Sequence, residues 1–406
     1  MVRHLAFFAA LGAADEESET ARQITAGLVV MRLVDEASSR SERGGAVYSA
    51  PAKDAVASLR ESAPVKSVLF EILDCIERAR KPESLCALLI RYGKTLGLES
   101  RWDLAADVFH TAGELAPHGA PVIAVEAHTL RGAAERRAGR WEASLDSYAR
   151  AVNLAARTGD LPSSLKAEVG IANTYFAQGD LDSAEAMLAT VLSEAKEEQM
   201  DEVLSLALHT RASVAHHRER YADAIDFAYD ALKLASDENA RDVILTDIAA
   251  AFVGLGLRDA ARDAHLIASV TSRSAVVRSS ATLNLMELAA VDGMEEAFDG
   301  YARALAEMQL EVRHRAYYLL FLGQGQMRFG RSETAAETLE SARKFASINR
   351  IENVVIDAEA AIAGLNHPAA SPPPAKSPSG DTLPESTRRI ASELTEMREL
   401  ALAGRG

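Results

Sequence analysis

The sequence predicts an all-α chain in which one helical hairpin is repeated about seven times. Three observations predict it. The stretch GRWEASLDSYARAVNLA (139–155) is restated as GDLDSAEAMLATVLSEA (179–195) and again as ERYADAIDFAYDALKLA (219–235). Hydrophobic residues make up 48% but aromatics only 5%. The apolar content is mostly Ala and Leu, which lose little on entering a helix. β-branched strand formers are sparse, and no run alternates with period two for long.

At the N-terminus an apolar run from Leu5 to Ala14 follows two basic residues and carries small residues at Gly12 and Ala14. It has the outline of a signal peptide, yet the acidic residues after it equally fit a helix-to-helix boundary. Processing of 1–14 therefore stays open. Residues 17–36 read as one helix, broken by SERGG at 41–45. Residues 51–61 and 64–80 form a helical pair, each starting at or just after a Pro, where Pro is tolerated. Together 1–86 make a helical N-terminal cap region.

The array proper, 87–365, is marked by aligned series and is expected to fold as one cooperative unit. A small core position recurs at Ala105, Ser144, Ala184, Ala224, Ala261, Ala297 and Ala335, at intervals of 36 to 40 residues. Seven residues further on stand Ala112, Ala151, Val191, Ala231, Ala268, Ala304 and Ala342. Five residues earlier lies a turn at Ser100, Gly139, Gly179, Glu219, Gly256, Asp292 and Gly330. Gly suits a helix end in left-handed conformation. Twelve residues earlier the position is small again (Gly93, Gly132, Ala172, Ala212, Ala249, Gly323), with Leu285 the exception. Small residues at these offsets let two antiparallel helices approach closely, while Tyr148, Tyr175, Phe252 and Tyr301 fill the gaps. One hairpin cannot bury so wide an apolar face, and stacking the next hairpin on it does.

Beyond the array, 366–384 (NHPAASPPPAKSPSGDTLP) is a disordered Pro/Ser-rich linker by composition. Residues 385–406 follow as an amphipathic C-terminal helix, with Ile390, Leu394, Met397 and Ala401 on one stripe.

The order of a small residue, an aromatic, a turn Gly and two spaced alanines resembles the tetratricopeptide-repeat (TPR) family over residues 88–345. GRWEASLDSYARAV and GDLDSAEAMLATVL carry the resemblance best. Two features depart from the family. Its usual period of 34 is here 36 to 40, implying helices longer by up to about a turn. The Pro that often closes a repeat is missing. Such long-helix versions resemble regulatory TPR proteins, including the peptide-pheromone receptors of Gram-positive bacteria. The resemblance implies a right-handed superhelical solenoid of antiparallel helix hairpins that binds a partner on its concave side.

Composition narrows the function classes. A formal charge of −15 and a pI near 5.2 repel phosphate backbones, so direct nucleic-acid binding is not expected. No stretch reaches the roughly 18 apolar residues that a bilayer crossing needs. Cys75 and Cys86 are too few for a disulfide framework and lack metal-ligand spacing, and they read as reduced, buried thiols of a cytoplasmic protein. No phosphate-cradling Gly loop and no HExxH, CxxC, GxSxG or kinase signature occurs. No catalytic residue, cofactor or metal is therefore expected. His216 and His217 are adjacent, and neighbours on a helix point about 100° apart. With His209 they read as a polar groove wall.

The resemblance places the concave face on the first helix of each hairpin. Its positions fall on Glu126, Thr129, Arg136 and Arg137, then on Lys166, Val169, Asn173 and Phe176. The next unit gives Leu206, His209, Ser213, His216 and His217, and later units give Thr246, Ala250, Thr282, Met286, Tyr317, Gln324 and Met327. The expected peptide-binding groove is thus Arg136, Arg137, Lys166, Asn173, Phe176, His209, Ser213, His216 and His217. Amides there would bond a peptide backbone, and the Arg and Lys would attract its carboxylates. Ordinary solvated helix faces are the alternative. The chaperone-type carboxylate clamp needs Lys, Asn and Arg where this sequence has Val169, Thr210, Val243 and Asp247. Only Asn173 fits, so chaperone-tail binding is excluded.

Three function readings result. The first is a non-catalytic scaffold or adaptor for a peptide or protein segment, acidic on the charge argument. The second is a peptide- or ligand-sensing regulator of a partner's activity, although 1–86 shows no compact helix-turn-helix pattern. The third is an enzyme with a site grafted on the repeat fold. The C-terminal helix is expected to cap the last hairpin, 317–345, or to bind a partner, self-association included. Its Glu393, Glu396 and Glu399 balance Arg388, Arg389 and Arg398, which gives no strong pull toward the groove.

Overall fold

The computed structural model describes residues 3–15, 17–41, 49–78, 80–349, 351–366 and 383–403, and every regular element among them is an α-helix. Most of SERGG and nearly all of the expected linker lie outside the described residues. The chain divides into two compact units, Met1–Val203 and Leu204–Gly406.

The first unit holds α1 (Leu5–Ala13), α2 (Glu19–Ser41), α3 (Ala50–Ala57) and α4 (Pro64–Glu77) ahead of three hairpins. These are α5 (Pro82–Leu98) with α6 (Trp102–Leu115), α7 (Pro121–Arg137) with α8 (Trp141–Thr158), and α9 (Leu161–Gln178) with α10 (Leu181–Glu197). Helix α11 (Asp201–His217) passes the division, and its residues from Leu204 onward belong to the second unit. It pairs in sequence with α12 (Tyr221–Leu234). Three further hairpins follow: α13 (Glu238–Gly254) with α14 (Arg258–Thr271), α15 (Ala275–Val291) with α16 (Glu295–Glu307), and α17 (Val312–Arg328) with α18 (Ser332–Ile348). Last come α19 (Glu352–Asn366) and α20 (Glu385–Ala403).

Each hairpin turns through one residue in left-handed conformation. Ser100, Gly139, Gly179, Glu219, Gly256, Gly293 and Gly330 all have φ between 58 and 82°. The next residue's N–H then reaches the carbonyl five positions back, as from Arg140 to Glu135 at 2.8 Å and from Arg331 to Gln326 at 2.9 Å. This Schellman geometry satisfies carbonyls that the helix end would otherwise orphan. Where the sequence supplies Asp after the turn, the second helix is also capped, with Asp180 accepting from the Ser183 N–H at 3.1 Å.

The turn series corrects the alignment in the sixth unit by one residue. The left-handed position is Gly293, and Asp292 is the last residue before it. The core positions shift with it. Phe298 and Leu305 are fully buried where Ala297 and Ala304 were expected, and Met286 replaces Leu285. Aspartate gains another use there: its two carboxylate oxygens accept from Arg258 Nε and Arg262 Nη2, each at 2.6 Å. The large Phe298 is tolerated because the next hairpin presents Gly325. A Cβ on Gly325 would lie 2.1 Å from the Phe298 ring.

In the other units the small position is as expected. Ala105, Ser144, Ala184, Ala224, Ala261 and Ala335 are all 2% exposed or less. The Tyr148 ring lies over both Gly132 and Gly170, where added Cβ atoms would stand 2.8 and 2.1 Å from it. One aromatic thus clasps its own hairpin and the next.

Helix α1 packs into the first unit's core, with Phe7 fully buried beside residues of α2 and α5. Its N-cap His4 sits between two carboxylates. Nδ1 lies 2.6 Å from Asp107 of α6, and Nε2 lies 3.3 Å from Asp35 of α2, which also pairs with Arg3 at 2.9 Å. Burial pushes the His4 pKa down, but the hydrogen bond and charge of Asp107, with Asp35 behind, outweigh it and leave it raised.

In the second unit α19 covers the last hairpin. Val354 and Ala358 are fully buried among Leu320, Leu339, Ala342 and Ala346. The apolar flank expected to receive the C-terminal helix is therefore already closed. Helix α20 lies elsewhere, on α12 and α14, with Ile390 and Leu394 buried in the cluster that holds Ile225, Tyr229, Ala264 and Ile267. The expected cap over 317–345 is thus corrected: α19 does that work.

Two outcomes follow from this packing. Replacing Ala184 or Ala224 by Leu should overpack its hairpin and cost about 1–3 kcal/mol in denaturant unfolding. Unchanged stability would mean that these positions are not where the helices meet. The mutual fit of Phe298 and Gly325 is tested by a double-mutant cycle. G325A alone should destabilise, and F298L should recover part of that loss, so strict additivity would show the two do not meet.

The His4 contact should depend on pH. Its folded pKa is raised, so its contribution is complete below the ordinary histidine value near 6.5 and is lost as pH rises through the raised one. Hydrogen exchange across 5–13, corrected for intrinsic rates, should be faster at about pH 9 than at about pH 6. That difference should vanish in His4→Ala. Equal protection at both pH values in the parent would rule the contact out as the tie.

Candidate binding surfaces

In the first unit, α5, α7 and α9 are the first helices of their hairpins. Positions 126, 129, 133 and 136 share one face of α7 by helical spacing. A cavity of about 310 Å³ lies between α5 and α7, lined by Ala87, Ile90, Arg91, Lys94, Ile123 and Glu126. Its floor is aliphatic and its rim charged. Lys94 Nζ meets Glu126 at 2.9 Å, and Arg91 meets Glu71 of α4 at 2.5 Å.

The expected groove residues of this unit are largely engaged. Lys166 pairs with Glu202 at 2.7 Å. The Arg137 guanidinium stacks 4.6 Å above the Trp102 ring. Asn173 Nδ2 donates to its own helix at the Val169 carbonyl, 3.1 Å away. Phe176 is half-buried on the same helix. Arg136 is half-buried, and its Nε is buried without a hydrogen-bond partner. Burial pushes the Tyr148 hydroxyl pKa up, against the pull of the Arg136 and Arg137 guanidiniums.

The remaining expected residues lie on α11, in the second unit. His209 Nε2 meets Asp247 of α13 at 2.6 Å, tying two first helices together. Ser213 Oγ donates to the His209 carbonyl at 3.2 Å. His216 packs edge-on to Tyr221 at 5.2 Å, while His217 faces solvent. Among the described residues no three His, Cys, Asp or Glu side chains come together as a metal site. Ser279 Oγ lies 2.7 Å from His314 Nδ1, but it is 4% exposed and also lies 2.9 Å from the Val276 carbonyl. That contact ties α15 to α17 and presents no accessible nucleophile.

The second helices carry another set of polar groups. A cavity of about 730 Å³ opens in the first unit between α1, α6 and α7, with Asp107, His110, Arg131 and Arg140 on its walls. Behind it Glu135 is 3% exposed and accepts from Arg131 Nε at 2.8 Å and Ser147 Oγ at 2.7 Å. Burial raises its pKa even so. In the second unit Asp226 on α12 and Asp263 on α14 receive α20. Ser386 Oγ donates to Asp226 at 2.9 Å, and Thr395 Oγ1 and Arg398 Nη1 both donate to Asp263 at 2.8 Å.

These carboxylates were not anticipated, although a signal for them exists. Counted from the left-handed turn, Asp107, Asp146, Asp226, Asp263 and Glu337 all stand seven residues on. The acid lies two residues past the small core position, which puts it on the flank of the second helix and not in the core.

Residues 124–196, from α7 to α10, match the family model for the tetratricopeptide repeat. No curated protein matches the sequence. Among solved structures, the apo form of the quorum sensor NprR from B. thuringiensis is similar at 15% identity and a TM-score of 0.47, over 87% of this chain and 92% of that chain. NprR in complex with its cognate peptide NprX gives 15% identity and 0.44, over 89% and 96%. A tetratricopeptide repeat protein from Parabacteroides merdae gives 14% and 0.41, over 68% and 98%. Likeness at this level says nothing of what this chain binds.

Proposed function

We propose that this chain, a tetratricopeptide-repeat protein by its matched segment and its recurring turns, is a non-catalytic scaffold that binds an extended peptide on the first helices of its first unit. The observation that carries the reading is the furrow between α5 and α7. It has an aliphatic floor of Ala87, Ile90 and Ile123 beneath the cations Arg91 and Lys94. The same face of α7 runs on to Arg136 and Arg137, about 20 Å along the helix, and Lys166 stands on α9. An extended segment would lay its apolar side chains on the floor and its carboxylates on these cations.

The ion pairs already present set the cost of entry. A carboxylate that takes Lys94 or Lys166 must displace Glu126 or Glu202, both exposed and therefore weakly held. Exchange of one exposed carboxylate for another favours weak, salt-sensitive binding over tight capture.

Reversing Arg136, Arg137 and Lys166 to Glu should weaken binding of acidic peptides about tenfold at low salt and flatten the salt dependence. Fluorescence anisotropy with a panel of labelled acidic peptides measures both. Equal affinity of the triple variant and the parent would remove this face from the reading.

A further inference from the structure

Helix α20 occupies a furrow that belongs to other helices. It lies on α12 and α14, the second helices of successive hairpins, although its sequence neighbour α19 packs on the last hairpin. The contact joins residues far apart in the chain, since Tyr229 Oη donates to Glu393 Oε2 across 164 positions. Its recognition elements repeat along one helix face. Ile390 and Leu394, at i and i+4, fill the apolar floor, Glu393 meets Tyr229, and Thr395 and Arg398 share Asp263.

The fit of α20 is incomplete in two respects. At its N-terminal end the Thr387 hydroxyl is fully buried without a hydrogen-bond partner among the described residues, and so is Oδ1 of Asp226, whose Oδ2 accepts from Ser386. Burying polar atoms unpaired is costly. Along its sides two cavities remain. One of about 590 Å³ borders Arg258, Asp259 and Thr395, and one of about 480 Å³ borders Arg241, Met397 and Leu400. A helix seated on two buried aliphatic side chains, with a gap on each side, fills its seat only in part.

We propose that the furrow between α12 and α14 is a docking site for an amphipathic helix of a partner protein, and that α20 is its resident occupant, which the partner displaces. The seat defines that partner. Its helix carries aliphatic residues at i and i+4 and an acid at i+3 facing Tyr229. It carries a hydroxyl or guanidinium at i+5 and i+8 facing Asp263, and a hydroxyl at the Ser386 position, where it reaches Asp226. This site is separate from the peptide face on α5, α7 and α9, and it does not depend on it.

The probe is a labelled peptide with the sequence 385–403, read by fluorescence anisotropy against full-length protein. Tethering holds α20 at an effective concentration of about millimolar, so the parent should bind the probe weakly. In L394D/R398D, which expels the resident helix, affinity should rise about tenfold or more. A probe carrying Ser386→Ala should bind that variant several-fold more weakly, and Asp263→Asn in the seat should remove most of the binding. If the double variant loses helical circular dichroism beyond α20 itself, R398E alone, which leaves the floor intact, gives the same comparison. No gain on expelling α20, or no effect of Asp263→Asn, overturns the assignment. A parent dimer that disperses when Leu394 is replaced would make a second copy the occupant and overturn it equally.

Discussion

Everything in this molecule rests on how closely two helices of a hairpin can approach. The small residue five positions after all but one of the left-handed hairpin turns allows backbone to pass near backbone. The aromatic of one helix then reaches across to the next hairpin. Tyr148 over Gly132 and Gly170 shows the geometry most directly. A single such contact is local, but each one also sets the surface on which the following hairpin stacks. Close packing, not hydrophobicity as such, is therefore what recurs in the sequence.

The sixth hairpin shows how far that rule bends. Phe298 and Met286 stand where small residues are the norm, and the missing space is recovered one hairpin later at Gly325. Volume is thus conserved across the interface of two repeats, not within one. The displaced Asp292 is turned to another purpose, bridging Arg258 and Arg262.

Much of the fold was legible in the sequence because turns and small positions have strong residue preferences. The turn at 293 was misplaced because Asp292 and Gly293 are adjacent and both common at helix ends, and the alanine at 297 drew the alignment toward it. The seat of α20 was not legible, since an apolar stripe such as Ile390–Leu394 states only that a surface is needed. Which surface depended on α19, whose Val354 and Ala358 had already closed the last hairpin. The charges of the first-helix face are only partly legible in the sequence. The cations are present, but Lys166 and Lys94 are matched by Glu202 and Glu126 from neighbouring helices. Sequence distance hid those partners.

Within the hairpins most contacts are short in sequence, helix to next helix, and such contacts form as the chain lengthens. The bond from Tyr229 to Glu393 is of another kind. On a ribosome, α12 and α14 emerge and pack well before α20 is made. At ordinary rates of synthesis the interval is on the order of ten seconds. For that time the furrow with Ile225, Ala264 and Ile267 at its floor stands open on a nascent chain. The molecule is thus born with its seat vacant and fills it only once residues 385–403 are made, so a binding helix present before then meets no competition from α20.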